Sequence, residues 1–270
     1  EEAPQILGRL IAIGSVTSLT VYSLLWFFIE IFQASFLVNF LVSGGICLGL
    51  AIFMGLYFPS FEEKSQQNKS IVLRKRYWLY YLLTFLSGAR RQIFVVFAAF
   101  LMVEKFGYSV SEVTLLFLVN YAFNWLFAEK IGQLIGRIGE RRALTLEYTG
   151  LVFVFVAYGL VENATLAACL YVIDHMFFAL AIGIKTYFQK IADPADMASS
   201  AGVSFTINHI AAVVIPAALG LVWLWSHALV FYFGAMFAFL SLIASQLIPR
   251  DPMRGNETNL TSANSLGFQA

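Results

Sequence analysis

Residues 132–142 read GQLIGRIGERR, from Gly132 to Arg142, and separate two long apolar runs. Gly132 and Gly136 end the first run, Gly139 follows, and Arg137, Arg141 and Arg142 cluster before the second. Arginines gathered at a span end mark the cytoplasmic side of a membrane protein, because positive connections are retained there. Glycines let two helices turn back on each other tightly. The stretch therefore predicts a short cytoplasmic turn inside a bundle of membrane helices.

Composition agrees. The chain is 60% hydrophobic and 12% charged over 270 residues, whereas a soluble domain is about half apolar and a quarter charged. An all-α, polytopic membrane bundle is expected. A formal charge of +1 gives no reason to expect a nucleic-acid partner. Cys47 and Cys169 both fall in apolar runs and read as small packing residues rather than a disulfide or metal pair. The sequence carries no nucleotide-binding loop, no Cys or His set at metal-ligand spacing and no nucleophile motif. Neither an ATP-driven pump nor an enzyme is indicated, and no cofactor is expected.

A helix needs about 20 apolar residues to cross the hydrocarbon core. By that measure the candidate spans are 10–29, 34–58, 77–103, 113–135, 143–161, 164–188, 198–225 and 228–248. Arg9, then Lys64, Lys69, Arg74, Lys75 and Arg76, then Arg137, Arg141 and Arg142, then Lys190, then Arg250 and Arg254 fall at one set of connections. The alternate connections carry only Lys105. Both termini are thus expected in the cytoplasm. The longest polar connection, 59–76, divides two spans (1–58) from six (77–248), and the polar tail 249–270 is expected to be a disordered cytoplasmic segment. Its Asn-x-Thr triplets at Asn256 and Asn259 read as chance on the cytoplasmic side. The chain begins EEAPQ at the foot of a span, so its natural start is expected to be missing.

The arginine-rich turn resembles the G-x-x-x-D-R-x-G-x-R-R signature of the major facilitator superfamily of secondary transporters. Gly132, Arg137, Gly139, Arg141 and Arg142 match, and Gly136 stands where the family usually has an acid. The resemblance implies twelve spans in two six-helix halves joined by a long cytoplasmic loop. Here it covers most of the chain: the last two helices of the N-terminal half, the inter-half loop and the six-helix C-terminal half. It further implies a solute bound near the midplane, alternating access, coupling to protons, and residence in the lipid bilayer of a bacterial inner (plasma) membrane. The other reading is a non-transporting membrane scaffold, or a module of a larger membrane protein.

Ionisable groups deep in spans face a partner or a water-filled path. Arg90 and Arg91 lie about 13 residues into the third span, roughly 20 Å along it. Either a ligand or an acid on another helix would satisfy them. Thr84, Ser87 and Arg91 share a face by spacing, whereas adjacent arginines diverge by about 100°. Asn120 and Asn124 share a face of the fourth span, as interhelical glue or as substrate contacts. Asp174 and His175 lie at a comparable depth in the sixth. Asp174 is expected to pair with Arg90 or Arg91, and His175 either carries a proton or bonds a backbone carbonyl. Asn208 and His209 sit in the seventh span, ahead of Pro216, which is expected to kink or loosen it. Glu147 is placed about one turn inside the fifth span, near the arginine cluster. Asp174, His175 and His209 are the candidate proton carriers. A cavity holding Arg90, Arg91 and Asp174 would be net positive and would suit an anionic small-molecule substrate.

Overall fold

The computed structural model describes residues 3–33, 35–59 and 73–260. Among them eight helices are long and apolar enough to cross a membrane, and there is no strand. In chain order these are α1 (Ala3–Glu30), α2 (Phe36–Tyr57), α3 (Lys75–Glu104), α4 (Val110–Ile138), α5 (Glu140–Leu160), α6 (Ala164–Ile191), α7 (Pro194–Trp223) and α8 (His227–Ser245). The chain is an all-α, polytopic integral membrane protein. Several helices run beyond the apolar stretches: α1 starts at Ala3, α4 at Val110 and α7 at Pro194. Backbone hydrogen bonding continues through flanking polar residues that a hydropathy count rejects.

Side-chain caps set the helix starts at the end remote from the arginine cluster. Ser35, Ser109, Asn163 and Ser226 each accept a backbone N–H from three residues on, opening α2, α4, α6 and α8. At α4 the Glu112 carboxylate also accepts the Ser109 N–H at 2.7 Å, completing a capping box. Helices α3 and α7 open on 3-10 turns, and two spans depart from regular α geometry within their length. After Gln92, α3 takes a π turn over Ile93–Ala98, and α6 tightens to a 3-10 turn over Ala179–Ala181. Pro216 stays inside the helix Met197–Trp223.

Helices α3 to α8 form one packed body. α5 lies along α8, α3 along α7 and α8, and α6 beside α5. The main core joins Phe94 and Phe97 of α3, Phe155 and Tyr158 of α5, Tyr171 of α6, Trp223 of α7 and Phe231 of α8. Near the arginine-rich end a second core gathers Tyr77, Tyr80, Tyr148, Tyr187 and Phe188, with Tyr80 and Phe188 stacked at 4.1 Å. α1 packs along α4. A Cβ on Gly8 would strike the Ala128 carbonyl, and one on Gly132 would strike the Pro4 carbonyl. Close backbone approach is what small residues at a membrane helix interface permit. A Cβ on Gly14, Gly44, Gly45 or Gly49 would have nothing within 4 Å. No residue of α2 is buried.

The turn between α4 and α5 needs only one glycine. Gly139 adopts φ +82°, a conformation a side chain would strain, and separates the two helices alone. Gly132 and Gly136 lie within α4, so the expectation that they form the turn is corrected.

The expectation of a disordered tail is corrected for residues 249–260. The Tyr187 hydroxyl donates to the Glu257 carbonyl at 2.6 Å, Arg254 Nε donates to the Ala192 carbonyl at 3.0 Å, and Asn259 Nδ2 donates to the Gln246 carbonyl at 3.0 Å. Glu257 and Thr258 are buried. The segment is polar because its bonds go to backbone groups at the helix ends, which need partners. The rest of the tail, and most of the connection 59–76, lie outside the described residues.

Candidate functional site

Midway along the bundle, three ionisable side chains from three helices are fully withdrawn from the surface. Arg90 of α3 and Glu147 of α5 are 0% exposed, and Asp174 of α6 is 1% exposed. Arg90 Nη1 stands 3.5 Å from Glu147 Oε1. The guanidinium lies 4.5 Å over the Tyr148 ring, and its Nε donates to the Leu86 carbonyl at 3.3 Å. Asp174 is close enough to interact electrostatically with both Arg90 and Glu147.

The set is short of hydrogen bonds. Arg90 Nη1 and Nη2, both Glu147 oxygens, Asp174 Oδ1 and the Tyr148 and Tyr171 hydroxyls have no hydrogen-bond partner among the described residues, the Arg90–Glu147 contact being an ion pair at 3.5 Å. Nor do the two amide atoms of Asn120, which is 1% exposed. Unsatisfied polar groups in a packed interior are costly, and a concentration of them marks a site rather than a filler.

The expected pairing of Asp174 with an arginine is therefore incomplete: Arg90 forms its ion pair with Glu147. The reading of Glu147 as a near-terminal residue is corrected by where α5 begins. Helix α5 starts at Glu140, which sets Glu147 about two turns, or 10 Å, inside. A glutamate preceding a tyrosine in an otherwise apolar run was the only signal for it in the sequence.

Arg91 has a different fate from its neighbour. It is exposed, with its guanidinium 6.0 Å from the Phe178 ring of α6. Thr84 and Ser87 are buried, so the polar stripe expected along α3 is covered at their level and open at Arg91. His175 is half-buried between Phe94 and Tyr171, with ring centroids at 5.0 and 5.8 Å. Asn124 is half-buried, whereas Asn120 one turn earlier points into the bundle.

Asn208 and His209 are exposed. Asn208 Nδ2 donates to the Ser204 carbonyl at 3.0 Å, and His209 Nδ1 lies 2.8 Å from the Phe205 carbonyl. Both bonds stay within α7, the outcome usual for polar residues in a membrane helix. Asn208 also lies against Gly88 of α3, one turn before Arg91.

The arginine-rich end carries a separate set of ion pairs. Asp196, 3% exposed, receives Arg74 at 3.1 Å and Arg76 at 3.4 Å, tying the start of α3 to the start of α7. Lys190 meets Glu140 at 2.8 Å, and Arg9 of α1 meets Glu129 of α4 at 2.9 Å. Of the arginines in the 132–142 stretch, Arg141 donates to Gln246 at 3.2 Å, while Arg137 and Arg142 are exposed. A cleft of about 400 Å³ opens between Arg74, Arg76, Asp193 and Asp196. None of the central polar residues lines it. At the opposite end Lys105 bonds the Val161 carbonyl at 2.8 Å, and the Trp223 indole donates to Glu104 at 2.8 Å.

The sequence matches no family profile and no curated protein.

Chemically, the centre offers an exposed guanidinium beside a buried one paired to Glu147, with the Asp174 carboxyl enclosed nearby. Such a set can attract an anion and can take up or release protons. Among the described residues no group of His, Cys, Asp and Glu side chains could hold a metal ion.

Proposed function

We propose that the chain is part of a secondary transporter of the major-facilitator kind, moving a small anionic solute by proton-coupled alternating access. One observation carries this reading: Arg91 is exposed midway along a helix long enough to span the membrane. A cation at that depth costs about 2.5–3.5 kcal/mol against lipid, so it faces water, a solute or a partner. Arg90 is occupied by Glu147, which leaves Arg91 as the substrate-facing charge. The exposed Asn208 and His209 suit the wall of the same aqueous path, and the half-buried His175 its inner edge. On this reading the arginine-rich end is cytoplasmic, both termini lie there, and the bilayer is a bacterial inner membrane. The competing reading, a non-transporting module of a larger assembly, draws on α2, none of whose residues is buried.

Cysteine accessibility separates the two. Cys47 and Cys169 are exposed and must first be replaced by serine. Arg91→Cys and Asn208→Cys should then react with a membrane-impermeant thiol reagent added to either face of oriented vesicles. Vesicles with an imposed proton gradient should accumulate a carboxylate solute, and Arg91→Gln should raise its KM about 10- to 100-fold. Cysteines that stay unreactive from both faces, with no gradient-driven uptake across a carboxylate panel, would rule out transport and leave the module.

A further inference from the structure

The central cluster contains one cation, Arg90, and two carboxyls, Glu147 and Asp174. With all three groups ionised the cluster carries one uncompensated negative charge, in a region where no member is more than 1% exposed. Burying an unpaired charge costs several kcal/mol, more than one guanidinium can offset when shared between two carboxylates. One proton on either carboxyl makes the cluster neutral. We propose that Glu147 and Asp174 together hold a single exchangeable proton against Arg90, and that this pair, rather than His175 or His209, is the coupling-proton site. The inference deepens the transport reading and rests on it for the word coupling, while the shared proton rests on the 3.5 Å Arg90–Glu147 pair and on the burial of all three groups.

The surroundings support a proton held by the carboxyls. From α3 the cluster meets Arg90, with Arg91 exposed beside it. From α5 it meets Glu147, Tyr148 and Tyr158, and from α6 Tyr171, Asp174 and His175. From α4 the buried polar group is the neutral Asn120. Helix α7 contributes His209, which is exposed and bonded within its own helix. Helix α8 contributes Tyr232, packed over Gly159, and His227, 3.9 Å from Glu104 at the far end. Among the described residues no cation other than Arg90 is therefore aimed at the two acids. His175 is half-buried between the Phe94 and Tyr171 rings and makes no ion pair among the described residues.

The step balances simply. A hydronium ion at one membrane face gives its proton to a carboxylate oxygen, one O–H bond forms as another breaks, and the cluster passes from −1 to neutral. When the helices move and water reaches the cluster, the penalty on the charged state falls and the proton leaves to the other face.

The test is infrared difference spectroscopy of the full chain in lipid vesicles, reading the carbonyl band of an un-ionised carboxylic acid. The charge count makes an unusual forecast. Glu147→Gln and Asp174→Asn should each abolish the band, because the surviving carboxylate then balances Arg90 one to one. Glu147→Asp keeps the count and should keep the band, as should His175→Phe and His209→Phe. A band that survives either single amide variant, or that is lost with a histidine, overturns the shared site. If the amide variants fail to fold, the band in Glu147→Asp and the histidine variants still decides: its loss in any of them refutes the pair. Vesicles that show the expected pattern without gradient-driven uptake would leave the proton site standing and remove the transport reading. Uptake that persists with the band insensitive to both carboxyls would do the reverse.

Discussion

Arg90 and Arg91 are adjacent, yet one is enclosed and the other open. Successive residues on a helix point about 100° apart, so a pair of arginines on one span must divide its loyalties. Packing of α5 and α6 against α3 gives Arg90 to Glu147 and Asp174. Arg91 lies on the exposed side of the same helix, with only the Phe178 ring near its guanidinium, at 6.0 Å. The two arginines should therefore fail differently when replaced. Arg90→Leu strands two buried carboxyls and should cost about 3–5 kcal/mol, measured by denaturant unfolding in detergent. Arg91→Leu should change stability by no more than about 0.5 kcal/mol in the same assay, and its effect should appear in uptake. Equal destabilisation by both would contradict the placement. At this scale the sequence was a partial guide. Depth along a span identified Arg90, Arg91, Asn120 and Asp174 as unusual, but no local feature named Glu147 as the partner. Which acid meets which base depends on how each helix is rotated about its axis, and neighbouring helices set that rotation.

At the scale of elements, the spans and their order follow from solvent. A bilayer requires each crossing segment to satisfy its backbone internally and to present about 20 apolar residues, so runs of hydropathy translate directly into α1 to α8. The caps at Ser35, Ser109, Asn163 and Ser226 are equally local, since the short polar side chain bonds the helix's own first turn, but the hydropathy count did not single them out. Contacts between elements were less readable. Gly8 and Gly132 hold α1 against α4 by backbone approach, whereas a Cβ on Gly44, Gly45 or Gly49 of α2 would have nothing within 4 Å. Because the atoms a Cβ would strike are backbone carbonyls, they have no rotamer by which to move aside. Gly8→Ala or Gly132→Ala should then cost about 1–3 kcal/mol through overpacking. Disulfide formation between Arg9→Cys and Glu129→Cys, whose wild-type side chains pair at 2.9 Å, should fall in either background. The π turn at Ile93–Ala98 had no sequence signal, since the run IFVVFA contains neither proline nor glycine. It follows directly on the arginine pair, where a widened turn changes the facing of every later α3 residue.

For the whole molecule, both ends of the bundle are fastened by ion pairs and hydrogen bonds between helices. At the arginine-rich end Asp196 holds Arg74 and Arg76, Glu140 holds Lys190, and Glu129 holds Arg9. The chain after α8 returns over the same end and bonds backbone carbonyls there. Tyr187→Phe deletes the bond to the Glu257 carbonyl and should cost about 1 kcal/mol. The loosened segment should then be cut faster by trypsin at Arg254, whose side chain otherwise bonds the Ala192 carbonyl at 3.0 Å. Unchanged cleavage would mean that the segment is held mainly by its other contacts.

Class, helix number, helix order and the side on which positive residues gather were determined by the sequence alone. Each depends on a single segment meeting water or hydrocarbon, and a segment carries that information wherever its neighbours lie. The tertiary structure alone decided that Arg90 pairs with Glu147, that Asp174 shares the same enclosure, that Arg91 is left open and that residues 249–260 fold back. Those outcomes depend on rotation and register between helices. Packing sets both, and a hydropathy pattern constrains neither.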